Sequence, residues 1–315
     1  MQPHPLEGEH VLVIGASTLD LKGRPEHALT RGSSVEGVIR TSIGGVARNI
    51  AENLARLDVN PVLLTAVGND GAGERILGHA TASGIDTSHA LVIDDLPSGT
   101  YMAILTEAGA LDFGMADMHV LEALTPDYLS DHWALFKSAR MAVIDANLSE
   151  AAISTVIRLC EDYDVPLCAD PTSTSLAPRL RPHLSQLLMM APNTAEASIM
   201  VETPFDLEDR EATQLIAQQL VSRGLKIAVI TMSEHGVVYA DGETKGYIPA
   251  LKTQLVDQTG AGDAMSAGII FGLLEGIPID ESVRLGVTAA SLTLRTKATV
   301  RPDLSVELLY DELVY

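Results

Sequence analysis

The chain has 315 residues, and its formal net charge at pH 7 is −21. Such an acidic protein is not expected to bind nucleic acid or an anionic membrane surface, because both attract basic patches. Five of the 21 basic residues lie between Lys22 and Arg48, and we interpret them as a solvated face. No secretory signal pattern opens the sequence and no apolar run is long enough to span a bilayer, so we expect a cytoplasmic protein without a membrane partner.

The first predicted element is a buried strand that starts near Val11 and ends in a polar turn at residues 17–20. Short apolar strands then alternate with helical patterns. They are predicted at residues 61–67, 139–145, 165–170, 187–191 and 227–231. This alternation indicates βαβ units around a mostly parallel sheet, and therefore an α/β fold.

Two segments, residues 30–42 and 100–117, break this rhythm. They are rich in β-branched residues and glycine, their polarity alternates, and no helix separates their apolar positions. They predict the strands of a small second sheet inserted into the main domain. Because an exposed sheet edge tends to pair with another edge, this small sheet also predicts a homodimer.

Two glycines, Gly44 and Gly45, precede a helical pattern in which Ile50 and Leu54 lie on one face. Asn49 falls in the first turns of this predicted helix, where its amide can both donate to and accept from a polyol. A glycine pair before a helix is common, so this motif is informative only in combination with another one.

The second motif is D-Q-T-G-A-G-D-A-M-S-A-G, at residues 257–268. Gly260 and Gly262 have no Cβ, so this turn can adopt positive φ angles and bring backbone N–H groups close to an anion. A helix predicted near Asp263 adds its free N-terminal N–H groups and the positive end of its dipole. We expect the dipole to favour the ionised carboxylate, which can accept a proton from a substrate hydroxyl. The alternative is a structural turn in which Asp263 only caps the helix.

The glycine pair with Asn49 and the distant G-A-G-D turn together resemble the ribokinase-like (PfkB) family of sugar and nucleoside kinases. The resemblance covers nearly the whole chain. It implies one kinase domain over residues 1–315 with a three-layer ribokinase-like fold, whose β-sheet lid is formed by about residues 21–43 and 98–118. It also implies ATP and Mg²⁺ as cofactors, K⁺ as in many members of the family, and a homodimer formed through the lid.

The resemblance carries roles over to matching positions of this sequence. Asp263 would be the catalytic base, with the N–H groups of the anion hole supplied by Gly260, Ala261 and Gly262. The implied substrate-binding residues are Ser17, Asp20, Gly44, Gly45, Asn49, Thr100 and Asp117. The implied nucleotide-binding residues are Asn193, Glu196, Thr231, Gly236, Gly260 and Gly262. Glu196 would hold Mg²⁺ through water, and Asp257 and Thr259 would lie at the K⁺ site. Ser233 departs from the family pattern, which has glycine there.

Four further segments are spaced as in pseudouridine kinases, at residues 114–120, 124–129, 144–150 and 169–173. This resemblance implies phosphorylation of the 5′-hydroxyl of pseudouridine. The imide N–H groups of that base need acceptors, for which Asp117 is a candidate, and Thr100 and Tyr101 could supply a hydroxyl and an aromatic face. The alternative for Asp117 is a structural role as a turn residue at a strand end. Ala116 departs from the pattern, because asparagine is expected beside that aspartate.

Two alternatives to pseudouridine phosphorylation stay open. The first is a kinase of the same family for another substrate, such as ribose, fructose or adenosine. The second is a non-catalytic regulator that binds a sugar or nucleoside. Such a regulator is expected to lack Asp263, a glycine of the turn, or Asn193 and Glu196, whereas this chain has all of them.

Overall fold

The computed structural model describes residues 9–203 and 209–313. Over these residues the chain forms fourteen strands, ten α-helices and three 3₁₀ segments. The strands are β1 (His10–Ile14), β2 (Thr18–Pro25), β3 (Gly37–Gly44), β4 (Pro61–Leu64), β5 (Ala66–Gly68), β6 (Leu91–Ile93), β7 (Thr100–Leu105), β8 (Leu111–Asp117), β9 (Ala139–Asp145), β10 (Leu167–Asp170), β11 (Met189–Met190), β12 (Ile227–Thr231), β13 (Val237–Ala240) and β14 (Lys245–Ile248). The helices are α1 (Val46–Arg56), α2 (Gly71–Ala82), α3 (Pro126–Asp131), α4 (Trp133–Ser138), α5 (Glu150–Asp162), α6 (Thr194–Val201), α7 (Arg210–Ser222), α8 (Ala261–Leu274), α9 (Ile279–Leu294) and α10 (Val306–Asp311).

Eight strands form the main sheet, in the order β14-β13-β12-β11-β10-β9-β1-β4. Neighbouring strands are parallel from β12 to β4, whereas β13 pairs antiparallel with both β12 and β14. Because the parallel strands end at the same edge, the residues at their carboxyl ends come together there. Asp170, at the end of β10, lies in register with Asp145, at the end of β9. This carboxyl edge is where α/β sheets bind ligands.

Two apolar clusters cover the two faces of the main sheet. Along β1, Leu12 and Ile14 pack into one cluster, with α5, α6 and α7. Val11 and Val13 alternate with them and pack into the other, with α1, α8 and α9. A strand buried on both faces is continuously apolar, which explains the short hydrophobic runs in the sequence. The predicted α/β class with a mostly parallel central sheet is confirmed.

The small sheet has the order β3-β2-β7-β8, with β2 and β7 parallel and the other pairs antiparallel. Its strand β2 begins at Thr18, so Asp20 lies inside β2. The sequence analysis instead predicted a polar turn at residues 17–20, at the end of β1. The strand predicted at 30–42 starts only at Gly37, because β2 and β3 form a hairpin with a long connection.

Two predicted strands of the main sheet are shorter than expected. The run at 61–67 divides into β4 and β5, because β5 leaves the main sheet and pairs with β6. The run at 187–191 contains only the two-residue strand β11. Among the helices described here, none is long and apolar enough to cross a membrane.

Candidate active site

The turn before α8 has the geometry of an anion cradle, and its two glycines have different roles. Gly260 caps the helix with a φ of 80°, and a Cβ there would lie 1.8 Å from the carbonyl oxygen of Thr299. Gly262 lies in the first turn of α8, and a Cβ there would meet no atom within 4 Å. The predicted positive φ therefore holds for Gly260 but not for Gly262. At Gly262, the missing side chain leaves open space beside the helix N-terminus, which suits a phosphate group.

Two cavities meet at this turn. The smaller cavity has a volume of about 530 Å³, and its lining includes Thr231, Gly236, Ala261 and Gly262. The larger cavity has a volume of about 850 Å³. Its lining includes Asp20, Gly45, Asn49, Tyr101, Thr259 and Asp263. The N-terminus of α8 thus separates the two cavities, with Asp263 on the side of the larger one.

Asp263 is held by an amide and surrounded by acidic groups. Asn49 Nδ2 donates a hydrogen bond to Asp263 Oδ2 at 2.6 Å. Burial raises the pKa of Asp263 to about 7, and the charges of Asp145 and Asp20 act in the same direction, against Asn49 and Arg48. Desolvation therefore outweighs the groups that favour the ionised form, among which the sequence analysis expected the helix dipole.

The amide of Asn49 is oriented by Arg48, which is only 1% exposed. Arg48 donates to the carbonyl oxygens of Gly44, at 3.1 Å, and Ile43, at 2.8 Å. It also donates to Asn49 Oδ1 and forms an ion pair with Glu52. Because Oδ1 of Asn49 faces Arg48, its Nδ2 faces Asp263. Arg48 is therefore not part of a solvated face, as the sequence analysis expected.

Asp20 depends on the neighbouring glycine pair. Thr18 Oγ1 donates to Asp20 Oδ1 at 2.7 Å, and burial raises the pKa of Asp20. A Cβ on Gly44 would lie 2.1 Å from Asp20 Oδ2. Gly45, with a φ of 94°, would place a Cβ 2.3 Å from the carbonyl oxygen of Ala16. Both positions of the G-G motif therefore require glycine. Asp20, Gly45 and Asn49 all line the larger cavity.

Besides Gly44, three predicted substrate-binding residues do not line the larger cavity: Ser17, Thr100 and Asp117. Asp20, Tyr101 and Ala116 form one cross-strand row of the small sheet, and all three line the cavity. Thr100 and Asp117 belong to the next row, so their side chains point to the opposite face. Ser17 is buried, and its Oγ has no hydrogen-bond partner among the residues described. The positions of these three residues do not support the direct contacts that were predicted.

Asp117 instead bonds its neighbour. Its Oδ1 lies 2.7 Å from Nδ1 of His119, and this hydrogen bond lowers the pKa of Asp117. His119 itself lines the larger cavity. The interpretation of Asp117 as a strand-end turn residue therefore fits its position better than a base contact.

Asn193 and Glu196 form a capping box at the start of α6. Asn193 Oδ1 accepts from the backbone N–H of Glu196, and Glu196 Oε2 accepts from that of Asn193, both at 2.9 Å. Neither residue lines either cavity. The start of α6 is nevertheless connected to the smaller cavity. The backbone N–H of Thr231, which lines this cavity, donates to the carbonyl oxygen of Pro192, the residue before Asn193, at 3.0 Å.

Three carboxylates create a negative field near the cradle. Burial raises the pKa of Asp170 well above its usual value, and the charges of Asp263 and Glu196 raise it further. Over the described ranges, no group of three or more His, Cys, Asp or Glu residues is arranged to hold a metal ion. Mg²⁺ usually keeps several waters and binds through one or two carboxylates plus substrate phosphates. Of the three carboxylates, only Asp263 lines a cavity and could contribute to such a site directly, and Asp170 and Glu196 line neither cavity.

Further residues of the larger cavity follow the carboxyl ends of β9 and β10. They are Asn147, Ser149, Thr172, Ser173 and Arg179. The first four lie in the segments at 144–150 and 169–173, so the sequence contained a signal for them. Arg179 was missed. It donates to the carbonyl oxygens of Ala146, at 3.1 Å, and Leu148, at 3.0 Å, and no sequence motif marks it.

Comparisons with known proteins identify the family and the fold of this chain. The profile of the pfkB family carbohydrate kinases matches residues 9–305. Pseudouridine kinase of Escherichia coli (strain K12) is 33% identical over 302 residues, covering 95% of both chains. Ribokinase of Lactococcus lactis is 27% identical over 292 residues, covering 90% of both. The solved structure of Arabidopsis thaliana ribokinase complexed with ribose and ATP has a TM-score of 0.82 at 20% identity, and 100% of both chains is covered. The fold is therefore ribokinase-like, and the chain belongs to the pfkB family of carbohydrate kinases, which are phosphotransferases acting on sugar or nucleoside hydroxyls.

Proposed function

We propose that this kinase transfers the γ-phosphoryl group of ATP to the 5′-hydroxyl of pseudouridine, giving pseudouridine 5′-phosphate and ADP. The observation that carries the proposal is the position of the N-terminus of α8 between two cavities. Ala261 and Gly262 line the smaller cavity, and Asp263 lines the larger one. A phosphate donor in one cavity and a hydroxyl acceptor in the other would thus meet at the cradle.

In the proposed mechanism, Asp263 accepts the proton of the attacking hydroxyl. The N–H groups of Gly260, Ala261 and Gly262 stabilise the charge that spreads over the phosphoryl oxygens. Asn49 holds the carboxylate through its 2.6 Å hydrogen bond, so the base keeps a fixed position relative to the cradle. The rate enhancement in this mechanism comes mainly from positioning and electrostatics, as in other phosphoryl transfers.

Mg²⁺ would neutralise charge on the phosphates when it is bound with ATP. Glu196 is the residue we propose to hold it through water, together with Asp170. The charges of Glu196 and Asp263 both raise the pKa of Asp170, which indicates that these carboxylates lie near one another. Asn193 holds the position of Glu196 through the capping box, which makes its contribution to nucleotide binding indirect.

The larger cavity suits a nucleoside. Its volume of about 850 Å³ lies in the range of small-molecule sites. Asp20, Gly45 and Asn49 are placed to bind ribose hydroxyls near Asp263. Tyr101, His119 and the residues after β9 and β10 line the remaining wall, where a base would lie. The choice of pseudouridine rests on the 33% identity with a pseudouridine kinase.

One observation favours a different substrate of the same class. Asp117, the expected acceptor for the base, points away from the larger cavity, which weakens the sequence-based argument for a uracil ring. Ribose, fructose or another nucleoside therefore stays the second candidate. A non-catalytic regulator is less well supported, because Asp263 and the cradle are arranged as catalysis requires.

We further propose a homodimer formed through the small sheet, which would act as a lid over the larger cavity. On the face that points away from the cavity, one row carries Ile39 and Phe113, with 74% and 64% of their surfaces exposed, and the next row on the same face carries Met115, which is 67% exposed. Among the described strands, none pairs with the outer side of the edge strand β3 or β8. A second copy would cover these apolar residues. The cytoplasmic location stays a prediction.

The test is ADP release from ATP and Mg²⁺ against pseudouridine, uridine, ribose, adenosine and fructose, with Asp263→Asn as the control. Strong turnover of pseudouridine with little turnover of uridine would support the proposal. Turnover of another compound would keep the kinase and overturn the substrate. Absence of turnover with all five, at concentrations far above those of cellular nucleosides and sugars, would favour the regulator.

A further inference from the structure

Lys22 connects the small sheet to the turn that precedes the cradle. This residue lies on β2, and its Nζ is 3.2 Å from Oδ1 and 3.1 Å from Oδ2 of Asp257. It also donates to Oγ1 of Thr259. A lysine ammonium has three donors and no acceptor, so these three oxygens use its full hydrogen-bonding capacity. The contact is partly buried, with 21% of the Lys22 side chain and 30% of the Asp257 side chain exposed.

These oxygens belong to the two residues at which the sequence analysis expected K⁺. Both carboxylate oxygens of Asp257 accept hydrogen bonds from the Lys22 ammonium, so this carboxylate is already paired with a cation of this chain. A K⁺ ion placed at the same oxygens would face the Lys22 ammonium at short range, and two like charges repel. The side chains present do not fit an inorganic monovalent cation.

The cradle needs a positive charge at this position. Asp257 lies three residues before Gly260, and its negative charge would oppose the binding of a phosphate there. Asp263, which lines the larger cavity, adds further negative charge when it is ionised. Because the ion pair is partly buried, salt screens it less than it would screen an exposed pair. The Lys22 ammonium is therefore suited to neutralise Asp257 at raised ionic strength as well.

We propose that the Lys22 ammonium takes the place of a monovalent cation at residues 257–259, so that phosphoryl transfer by this chain does not require K⁺. The proposal rests on the proposed kinase function. It also means that the small sheet supplies a charge to the cradle, since the ammonium comes from β2.

The test compares wild type and Lys22→Met in KCl and in choline chloride at constant ionic strength. For wild type, we expect kcat/KM to differ less than twofold between the two salts. For Lys22→Met, we expect a loss of at least tenfold in choline chloride and partial recovery in KCl, because the freed oxygens can then bind K⁺. Lys22→Gln, which keeps a polar side chain without the charge, should behave in the same way. The matched control is Lys245→Met, which removes an exposed lysine on β14 that bonds Gln218.

The proposal is overturned by any of three results: stimulation of wild type by K⁺ of tenfold or more, full activity of Lys22→Met in choline chloride, or no recovery of this variant in KCl. Thermal unfolding gives a readout that does not depend on turnover. KCl should raise the Tm of Lys22→Met relative to choline chloride and leave that of wild type unchanged. If no substrate is phosphorylated at all, the proposed function fails, and this Tm difference still tests the role of Lys22.

Discussion

Gly260→Ala and Gly262→Ala should differ in their effects on stability, although the two positions are only two residues apart. At Gly260, alanine would adopt a left-handed conformation, which costs roughly 1–2 kcal/mol. Its Cβ would also lie 1.8 Å from the carbonyl oxygen of Thr299. Relief of such a contact requires a backbone shift that costs roughly 1–3 kcal/mol. We therefore expect Gly260→Ala to lower the free energy of unfolding by about 2–5 kcal/mol.

The expected change in Tm follows from the size of the chain. Unfolding entropy is about 2.1 cal/mol/K per residue, or roughly 0.7 kcal/mol/K for 315 residues. A loss of about 2–5 kcal/mol then lowers the Tm by roughly 3–8 °C. Kinase activity should fall as well, because displacement of the turn misaligns its N–H groups.

At Gly262 the same substitution meets no atom within 4 Å and replaces a helical glycine without positive φ. Alanine has a higher helix propensity than glycine, by about 1 kcal/mol, so the Tm should stay the same or rise slightly. The added methyl group would occupy the open space on the smaller cavity, where we place the phosphates. We expect the KM for ATP to rise by about tenfold, which corresponds to roughly 1.4 kcal/mol of lost binding.

The assay combines thermal unfolding with steady-state ADP release at varied ATP. Gly78→Ala is the matched control, because Gly78 lies within α2 and a Cβ there also meets no atom within 4 Å. It should match Gly262→Ala in stability and wild type in KM. An unchanged Tm for Gly260→Ala, or an unchanged KM for ATP in Gly262→Ala, would refute the roles assigned to these glycines.

Four further predictions concern the groups around the cradle. Asp263→Asn should lower kcat by about 10²–10⁴-fold while keeping the Tm, because it removes the base and not the fold, and full activity would exclude that role. In wild type, log kcat/KM should rise with a slope near one up to about pH 7 and then level off, because only ionised Asp263 accepts a proton; a flat profile between pH 5 and 8 would contradict this. Gly44→Ala should raise the KM for the nucleoside or sugar and leave that for ATP unchanged, since its Cβ would displace the carboxylate of Asp20. Arg48→Met should destabilise the protein by roughly 3 kcal/mol, measured by denaturant unfolding, because Oε2 of Glu52 and Oδ1 of Asn49 lose the buried guanidinium that bonds them. A loss no larger than that of a variant at an exposed arginine would contradict this role.

Local motifs were the part of the site that the sequence predicted well. The turn at 257–263 and the positions of Thr231 and Gly236 depend on short-range features: glycines, strand ends and the start of a helix. Such features lie within a few residues of the groups they position. For this reason, Gly260, Thr231 and Gly236 could be placed without knowledge of the tertiary structure.

The residues of the small sheet were harder to predict, because side chains of a strand alternate between two faces. Thr100 and Tyr101 are adjacent in sequence, yet only Tyr101 lines the larger cavity. A register error of one residue exchanges the faces of a whole strand. Leu111, Phe113 and Met115 alternate with other residues along β8, but every residue of this strand is exposed, so the alternation does not show which face points to the cavity. The prediction that Asp117 contacts the substrate depends on such a face assignment, and the register places Asp117 in the row next to the one that lines the cavity.

The roles of Lys22 and Arg48 depend on contacts that composition cannot reveal. The ammonium of Lys22 meets Asp257, which is 235 positions away in the sequence. The guanidinium of Arg48 is buried among backbone carbonyls that become available only once β3 and α1 are in place. Both residues belonged to a basic cluster that a sequence reader interprets as solvated, because charged residues are seldom buried without a partner.

The raised pKa of Asp263 makes physical sense for a catalytic base. A base with an ordinary carboxylate pKa near 4 would be ionised at neutral pH but would hold a proton only weakly. At a pKa of about 7, Asp263 remains about half ionised at neutral pH and accepts a proton far more readily. Bound phosphates would raise this pKa further, whereas a bound Mg²⁺ ion would counter them. In the proposed mechanism, Mg²⁺ would therefore also help to keep the base ionised after the nucleotide has entered.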